Sequence, residues 1–321
     1  MRELMYLQAI NEAFAEELER DEKVFLMGEG IQTGTFGTTT GLVDRFGPDR
    51  IMDTPISETA IAGAAVGASL MGYRPVADLM FSDFMYICAD EILLKAAQWR
   101  LMQGGTQQLP CVFVANIGGY RKLGNEHSHC PYSMMLHSPG LKVVVPSTPY
   151  DAKGLLKTAI RDNNPVIYLY HKGLLPVIGE VPKEDYTVPF GKAAIRREGT
   201  DVTVVAISFQ LFWVEAAAEM LKEEISVEII DPRTLEPLDI DTIMTSVAKT
   251  GRVVIVDEDT ERCGFAAELA TQIMEKGFYD LDAPIKRVCA KNYPIPGGIM
   301  EKFVLPQPEW VVQAIKDVMV D

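Results

Sequence analysis

Cysteine is scarce. The five thiols, Cys88, Cys111, Cys130, Cys263 and Cys289, are odd in number, widely spaced and never form a Cys-x-x-Cys pair. That excludes a zinc ribbon and a disulfide scaffold, and it predicts that four of the five are core thiols in a reducing compartment. Positive charge is in deficit: 30 Lys and Arg stand against 45 Asp and Glu, for a net charge of −15. So acidic a chain repels phosphate backbones and anionic membranes, which argues against nucleic acid and membrane surfaces as partners. No apolar run approaches the roughly 20 residues that a membrane span needs. Met1-Arg2-Glu3-Leu4 leads into an amphipathic helix with no apolar signal region before it, so a cytoplasmic protein is expected. Also missing are a Gly-Lys-Ser/Thr phosphate loop, a Gly-x-Gly-x-x-Gly fingerprint, internal repeats and low-complexity tracts.

What is present is apolar and periodic. The 321 residues are 48% hydrophobic, enough for two cores. Leu7, Ile10, Phe14 and Leu18 recur at helical spacing. Val24-Phe25-Leu26-Met27 reads as a short buried strand, followed by a Gly- and Thr-rich loop over residues 32–41. Residues 59–71 predict a helix of small side chains, suited either to a crowded contact inside the chain or to a subunit interface. A strand over 75–80, a long helix over 84–102, strands over 111–116 and 142–145, a helix over 150–161 and a strand over 166–170 follow. Residues 179–190 carry two prolines and no regular period, and read as a linker. A second alternation of strands and helices occupies the remainder. The expected fold is therefore α/β, with two doubly wound domains of largely parallel sheet. We place the domains at 1–178 and 199–321, with the linker at 179–198.

In such sheets ligands bind where strands end. Three places there carry reactive groups: Gly28-Glu29, Asp53-Thr54-Pro55-Ile56-Ser57-Glu58, and Gly124-Asn125-Glu126-His127-Ser128-His129-Cys130. Taken singly, each has an ordinary explanation. Glu58 at a helix start is a common dipole partner. His127 and His129 offer two nitrogens, too few for a closed metal site.

Together these segments resemble the β subunits of thiamine-diphosphate-dependent 2-oxo-acid and acetoin dehydrogenases. The likeness is carried by Gly28-Glu29, Phe46-Gly47-Pro48-Asp49-Arg50, the Asp53 to Glu58 run and His127-Ser128. It continues through Pro139-Gly140-Leu141-Lys142-Val143-Val144-Val145-Pro146, Asp162-Asn163-Asn164-Pro165 and Ile230-Asp231-Pro232-Arg233-Thr234. Leu79-Met80-Phe81 looks closest to the acetoin branch. The resemblance implies a pyrimidine-binding domain followed by a transketolase C-terminal-type domain. It makes Glu58 the residue that hydrogen-bonds the cofactor's aminopyrimidine ring and promotes loss of the thiazolium proton. Glu29 becomes a supporting carboxylate; Ile56, Met80 and Phe84 line the ring; His127 serves acyl transfer. Ala159, Ile160, Asp162 and Asn164 align with a monovalent-cation (K+) site, although a plain helix end with its turn reads equally well.

The chain departs from the family in Glu29-Gly30, Met80 and His129, all on the expected substrate side. It also lacks the Gly-Asp-Gly motif through which such enzymes hold Mg2+ and the diphosphate. An α subunit, in an α2β2 assembly, is expected to hold them, and a lipoyl-bearing acyltransferase to take the acyl unit. The competing expectations are a split transketolase-like transferase without a lipoyl partner and a non-catalytic assembly subunit.

Overall fold

The computed structural model describes residues 1–320, and in it the chain divides into two compact units. The first comprises Met1–Ile117 and Met134–Phe190; the second comprises Gly118–Ser133 and Gly191–Asp321. Residues 118–133 thus fold with the second unit, although they lie inside the stretch that the sequence places in the first.

In the first unit six strands run parallel, in the spatial order Lys142–Val144, Val166–His171, Val112–Ile117, Arg74–Phe81, Val24–Gly28 and Ile51–Asp53. Val112–Ile117 and Val166–His171 are buried along their whole length, as strands covered on both faces must be. Helix Tyr6–Arg20 buries Tyr6, Ile10, Phe14 and Leu18 on one stripe and packs against helix Pro149–Arg161. The latter begins at Thr148, whose hydroxyl accepts from the Asp151 amide at 3.2 Å, with Pro149 filling the first turn, where no N–H is needed. Lys153 and Lys157 are completely buried between these helices. The Lys153 ammonium donates to Glu12 (3.0 Å) and Glu16 (2.5 Å), and Lys157 is paired with Glu16 and Asp185.

The start of the stretch read as linker, residues 179–181, is in a strand: Ile178–Val181 pairs antiparallel with Arg2–Met5. One expectation is corrected in this unit. The long helix over 84–102 is broken into a 3-10 turn, Ser82–Tyr86, a π-wound segment, Asp90–Ala96, and a short α-helix, Ala97–Met102.

The second unit carries four parallel strands in the order Lys286–Ala290, Val253–Thr260, Val202–Ala206 and Val227–Asp231, with Ala194–Arg197 antiparallel at the edge. Helices Gln210–Leu221, Ile240–Thr250, Phe265–Gly277 and Pro308–Val320 accompany them. Val204, Ile229 and Val254 meet Val214, Ala218, Val311 and Ile315 in the core. Asp239 caps Ile240–Thr250, and Gly251 closes it with a left-handed φ of 69°. Four cysteines are buried and Cys263 is exposed. Among the described residues no helix is long and apolar enough to cross a membrane.

Candidate active site

Three neighbouring strands of the first unit, Ile51–Asp53, Val24–Gly28 and Arg74–Phe81, end beside one another. Their carboxyl ends lead into five of the expected site residues: Ile56 and Glu58, Glu29, and Met80 and Phe84. The tight pairing requires Gly28, because a Cβ there would lie 2.4 Å from the Asp78 carbonyl oxygen. Beyond it the loop folds back: the Gln32 amide donates to Asp53 Oδ1 (2.9 Å) and its side chain to the Ile51 carbonyl (2.7 Å).

Glu58 is the first residue of helix Glu58–Leu70, a position where the helix dipole favours a carboxylate. Glu58 and Glu29 are both half-buried, and neither side chain hydrogen-bonds or ion-pairs within the chain among the described residues. Ile56 is 73% exposed, an apolar side chain left open at the same edge. The small-residue face of the helix is not crowded within the chain. The nearest atom to a Cβ on Gly63 would be Glu91 Cγ at 3.6 Å, and a Cβ on Gly67 would meet nothing within 4 Å.

Met80 is the strained point. Its φ is +60°, uncommon for a residue with a side chain. The register against Val112–Ile117 shifts between Asp78 and Phe81, so Leu79 and Met80 form a bulge that re-aims the strand end. Two buried side chains hold it. Asp78 Oδ1 accepts from the Met80 amide at 2.8 Å, and Asn116 Nδ2 donates to the Met80 carbonyl at 2.5 Å. Burial pushes the Asp78 carboxyl up to about 6, the Met80 hydrogen bond offsetting part of the rise. Asp78 and Asn116 escape sequence reading because both sit inside otherwise apolar strands; a charged residue in such a run is the one available signal. Phe84 lies in the turn Ser82–Tyr86, edge-on to Phe81 at 5.6 Å, and Phe81 in turn meets Phe36 at 5.3 Å. Burial, with Glu91 and Glu58 nearby, raises the Cys88 thiol to about 12, so it remains a neutral core thiol.

The segment with Ala159, Ile160, Asp162 and Asn164 is the turn that ends helix Pro149–Arg161. Arg74 donates to the carbonyls of Ile160 (3.0 Å) and Asp162 (2.9 Å) and to Asn163 Oδ1 (2.6 Å), while Lys142 pairs with the Asp162 carboxylate. Asp162 Oδ1 also accepts from the Asn164 amide at 2.8 Å. Two protein cations thus engage oxygens of this turn.

His127 belongs to the second unit. It ends the 3-10 turn Asn125–His127, half-buried, with its amide donating to the Gly124 carbonyl at 3.3 Å. Ser128 is fully buried, and the His129 carbonyl accepts from the Gly118 amide at 3.1 Å. Downstream, the Tyr132 hydroxyl donates to Asp257 and the Ser133 hydroxyl to Asp259 at 2.6 Å. Burial, and then their mutual proximity, raises the Asp257 carboxyl well above the ordinary range. Among the described residues no group of three or more His, Cys, Asp or Glu is arranged to hold a metal ion.

Comparison with known proteins agrees with this layout. Residues 2–177 match the transketolase pyrimidine-binding domain, and residues 191–311 the transketolase C-terminal domain. The chain is 43% identical to the β subunit of acetoin:2,6-dichlorophenolindophenol oxidoreductase of Cupriavidus necator, over 99% of this chain and 98% of that one. It is 42% identical to the 2-oxoisovalerate dehydrogenase β subunit of Bacillus subtilis, over 99% of both. It is 40% identical to the pyruvate dehydrogenase E1 component β subunit of the same organism, again over 99% of both. Among solved structures, a split-gene transketolase, described as an inactive β4 tetramer, shares the fold, with a TM-score of 0.81 at 23% identity over 99% of this chain and 98% of that one.

Proposed function

The chain belongs to the β-subunit family of the thiamine-dependent acetoin and 2-oxo-acid dehydrogenases, and on that premise we propose that Glu58 is the group with which it activates the cofactor in a site completed by an α subunit. The observation that carries this reading is the half-buried Glu58 carboxylate, without a hydrogen-bond or ion-pair partner among the described residues, at the start of the helix that follows one strand end, with the equally unpartnered Glu29 following the end of the neighbouring strand. Two such acids fit a ligand ring that offers N–H donors, because a half-buried carboxylate is stabilised by hydrogen bonds to its charged form.

When bound, thiamine diphosphate supplies the nucleophilic carbon that attacks the substrate carbonyl and holds the electrons released on carbon–carbon cleavage. Glu58 holds a proton-bearing ring nitrogen; Glu29 adds negative potential; Ile56, Met80 and Phe84 exclude water from the ring. The Mg2+ ion and the diphosphate fall to the α partner, because this chain has no Gly-Asp-Gly. His127 handles the proton that moves when the acyl unit passes to a lipoyl disulfide on an acyltransferase. Arg74 and Lys142 already engage the turn at Asp162, so the proposed function assigns no role to K+.

The substrate that fits this half-site is a neutral hydroxyketone, acetoin. This assignment rests on Leu79-Met80-Phe81, the segment closest to the acetoin branch. The test compares this chain alone with the chain joined to its α partner, using calorimetry with thiamine diphosphate and Mg2+ and turnover with acetoin, pyruvate and branched-chain 2-oxo acids. Expected are weak binding alone, tight binding by the pair, and a higher kcat/KM for acetoin. Tight binding by the lone chain contradicts the half-site. Preference for a 2-oxo acid contradicts the substrate assignment, and turnover without acylation of any lipoyl domain favours a transketolase-like transferase.

A further inference from the structure

The loop that carries His127 and His129 is held in an unfavourable backbone conformation by two buried carboxylates far away in sequence. Tyr120 (φ +62°) and Lys122 (φ +63°) are both left-handed, and Gly124 (φ +89°) follows. Non-glycine residues persist there only where the surroundings over-determine them. Glu258, at the end of strand Val253–Thr260, accepts from the Gly119 amide with one oxygen and from Gln210 Nε2 (3.1 Å) with the other. Gln210 Nε2 also donates to the Tyr120 hydroxyl (3.0 Å), which itself donates to the Pro306 carbonyl (2.9 Å). Glu301, in the turn Gly298–Phe303, accepts from the Lys122 amide at 3.1 Å, and the Lys122 carbonyl takes the Gly298 amide at 3.3 Å. Both glutamates are 4% exposed. The clamp has no slack: a Cβ on Gly119 would lie 2.3 Å from Leu305 Cδ1 and 2.9 Å from Glu301 Oε1.

Burying carboxylates that accept from neutral amide N–H groups is a costly way to fix a loop, since a neutral acceptor would need far less desolvation. Their return is rigidity, because charge-assisted hydrogen bonds are shorter and stronger than neutral ones. We propose that Glu258 and Glu301 are positioning residues for acyl transfer, fixing the turn at 119–122 so that the histidine loop stands in its working geometry. This rests on the reading of His127 given above. Neither glutamate touches substrate; each acts through the loop backbone.

The experiment uses the α-partnered enzyme and two assays: reduction of an artificial electron acceptor for the early steps and acylation of a lipoyl domain for transfer. Glu301→Ala removes the side-chain oxygen that accepts from the Lys122 amide. Acylation should fall about 10- to 100-fold, the loss matching one charge-assisted hydrogen bond, while acceptor reduction stays within about threefold. Glu301→Gln should recover most of the loss, because its amide oxygen still accepts from Lys122. Hydrogen exchange in residues 119–129 should quicken in the alanine variant and not in the glutamine one. Glu258→Gln is the second variant, expected to slow acylation through its disturbed bond to Gln210. Equal losses in both assays, or no loss with unchanged exchange, overturn the positioning role. His127→Ala separates the two claims. If it spares acylation, the histidine reading fails and this inference fails with it. If it blocks acylation while Glu301→Ala does not, only the positioning claim fails.

Discussion

Asp78→Asn should stabilise the protein at neutral pH and hardly at all in acid. Asp78 lies within strand Arg74–Phe81, buried, with its carboxylate on the Met80 amide. Burial lifts it from an ordinary value of 3.8 to about 6. A carboxyl raised in the folded state binds its proton more tightly there than in the unfolded chain. Stability therefore declines as pH rises from about 4 to about 6, and the whole penalty is present above that window. At about 1.36 kcal/mol per pH unit, the difference amounts to about 3 kcal/mol at pH 7.5, falling to about 1 kcal/mol at pH 4.5. Asparagine keeps an oxygen for the Met80 amide and carries no charge, so the bulge should survive. The assay is urea unfolding of wild type and variant, both assembled with the α partner, at the two pH values, with turnover measured alongside. An equal gain at both values would show that the effect is not ionisation. Destabilisation at pH 7.5 would show that the charge on Asp78 holds Met80 in place, and the reasoning would fail.

The buried lysines give the opposite pH dependence. Burial raises the Glu16 carboxyl, but hydrogen bonds from Lys153 and Lys157 outweigh it and hold it below the ordinary carboxylate range. Its contribution is present at neutral pH and is lost as pH falls through that depressed value, so acid unfolding should set in below the ordinary carboxylate range. Glu16→Gln, which strips one shared partner from two fully buried ammonium groups, should cost about 3 kcal/mol or more at pH 7.5 and much less in acid, as measured by denaturant unfolding. A cost that does not change with pH would mean that packing, not charge, ties helix Tyr6–Arg20 to helix Pro149–Arg161.

Most of the fold was legible because its elements are driven by burial, which leaves a period in the sequence. Helix Tyr6–Arg20 and strand Val166–His171 follow directly from their apolar spacing. What could not be read was set by partners distant in the chain. Ile51–Asp53 is too short to show a period and exists because Val24–Gly28 pairs with it. The break in residues 82–102 reflects the turn after the Met80 bulge, which local helix propensity does not register. At the site, Glu58, Glu29 and His127 stood out through resemblance, whereas physics alone offered each an ordinary surface role. Asp78, Asn116, Glu258 and Glu301 each act on a backbone group, and beyond a polar residue within an apolar strand, as at Asp78, nothing in the sequence marks them. The same holds for the membership of residues 118–133 in the second unit, which depends on pairings such as Tyr132 with Asp257.

The central claim is that Glu58 activates the cofactor, and the most direct measurement is the exchange of the thiazolium C2 proton of bound thiamine diphosphate with deuterium, followed by NMR in the α-partnered enzyme. Glu58→Gln keeps the shape of the side chain and the start of helix Glu58–Leu70 but removes the charge that holds the ring proton. Exchange should slow by about 100- to 1,000-fold, with turnover falling at least as far, while the affinity for thiamine diphosphate changes by only a few-fold. Exchange at the wild-type rate in Glu58→Gln would contradict the account, whatever happens to turnover.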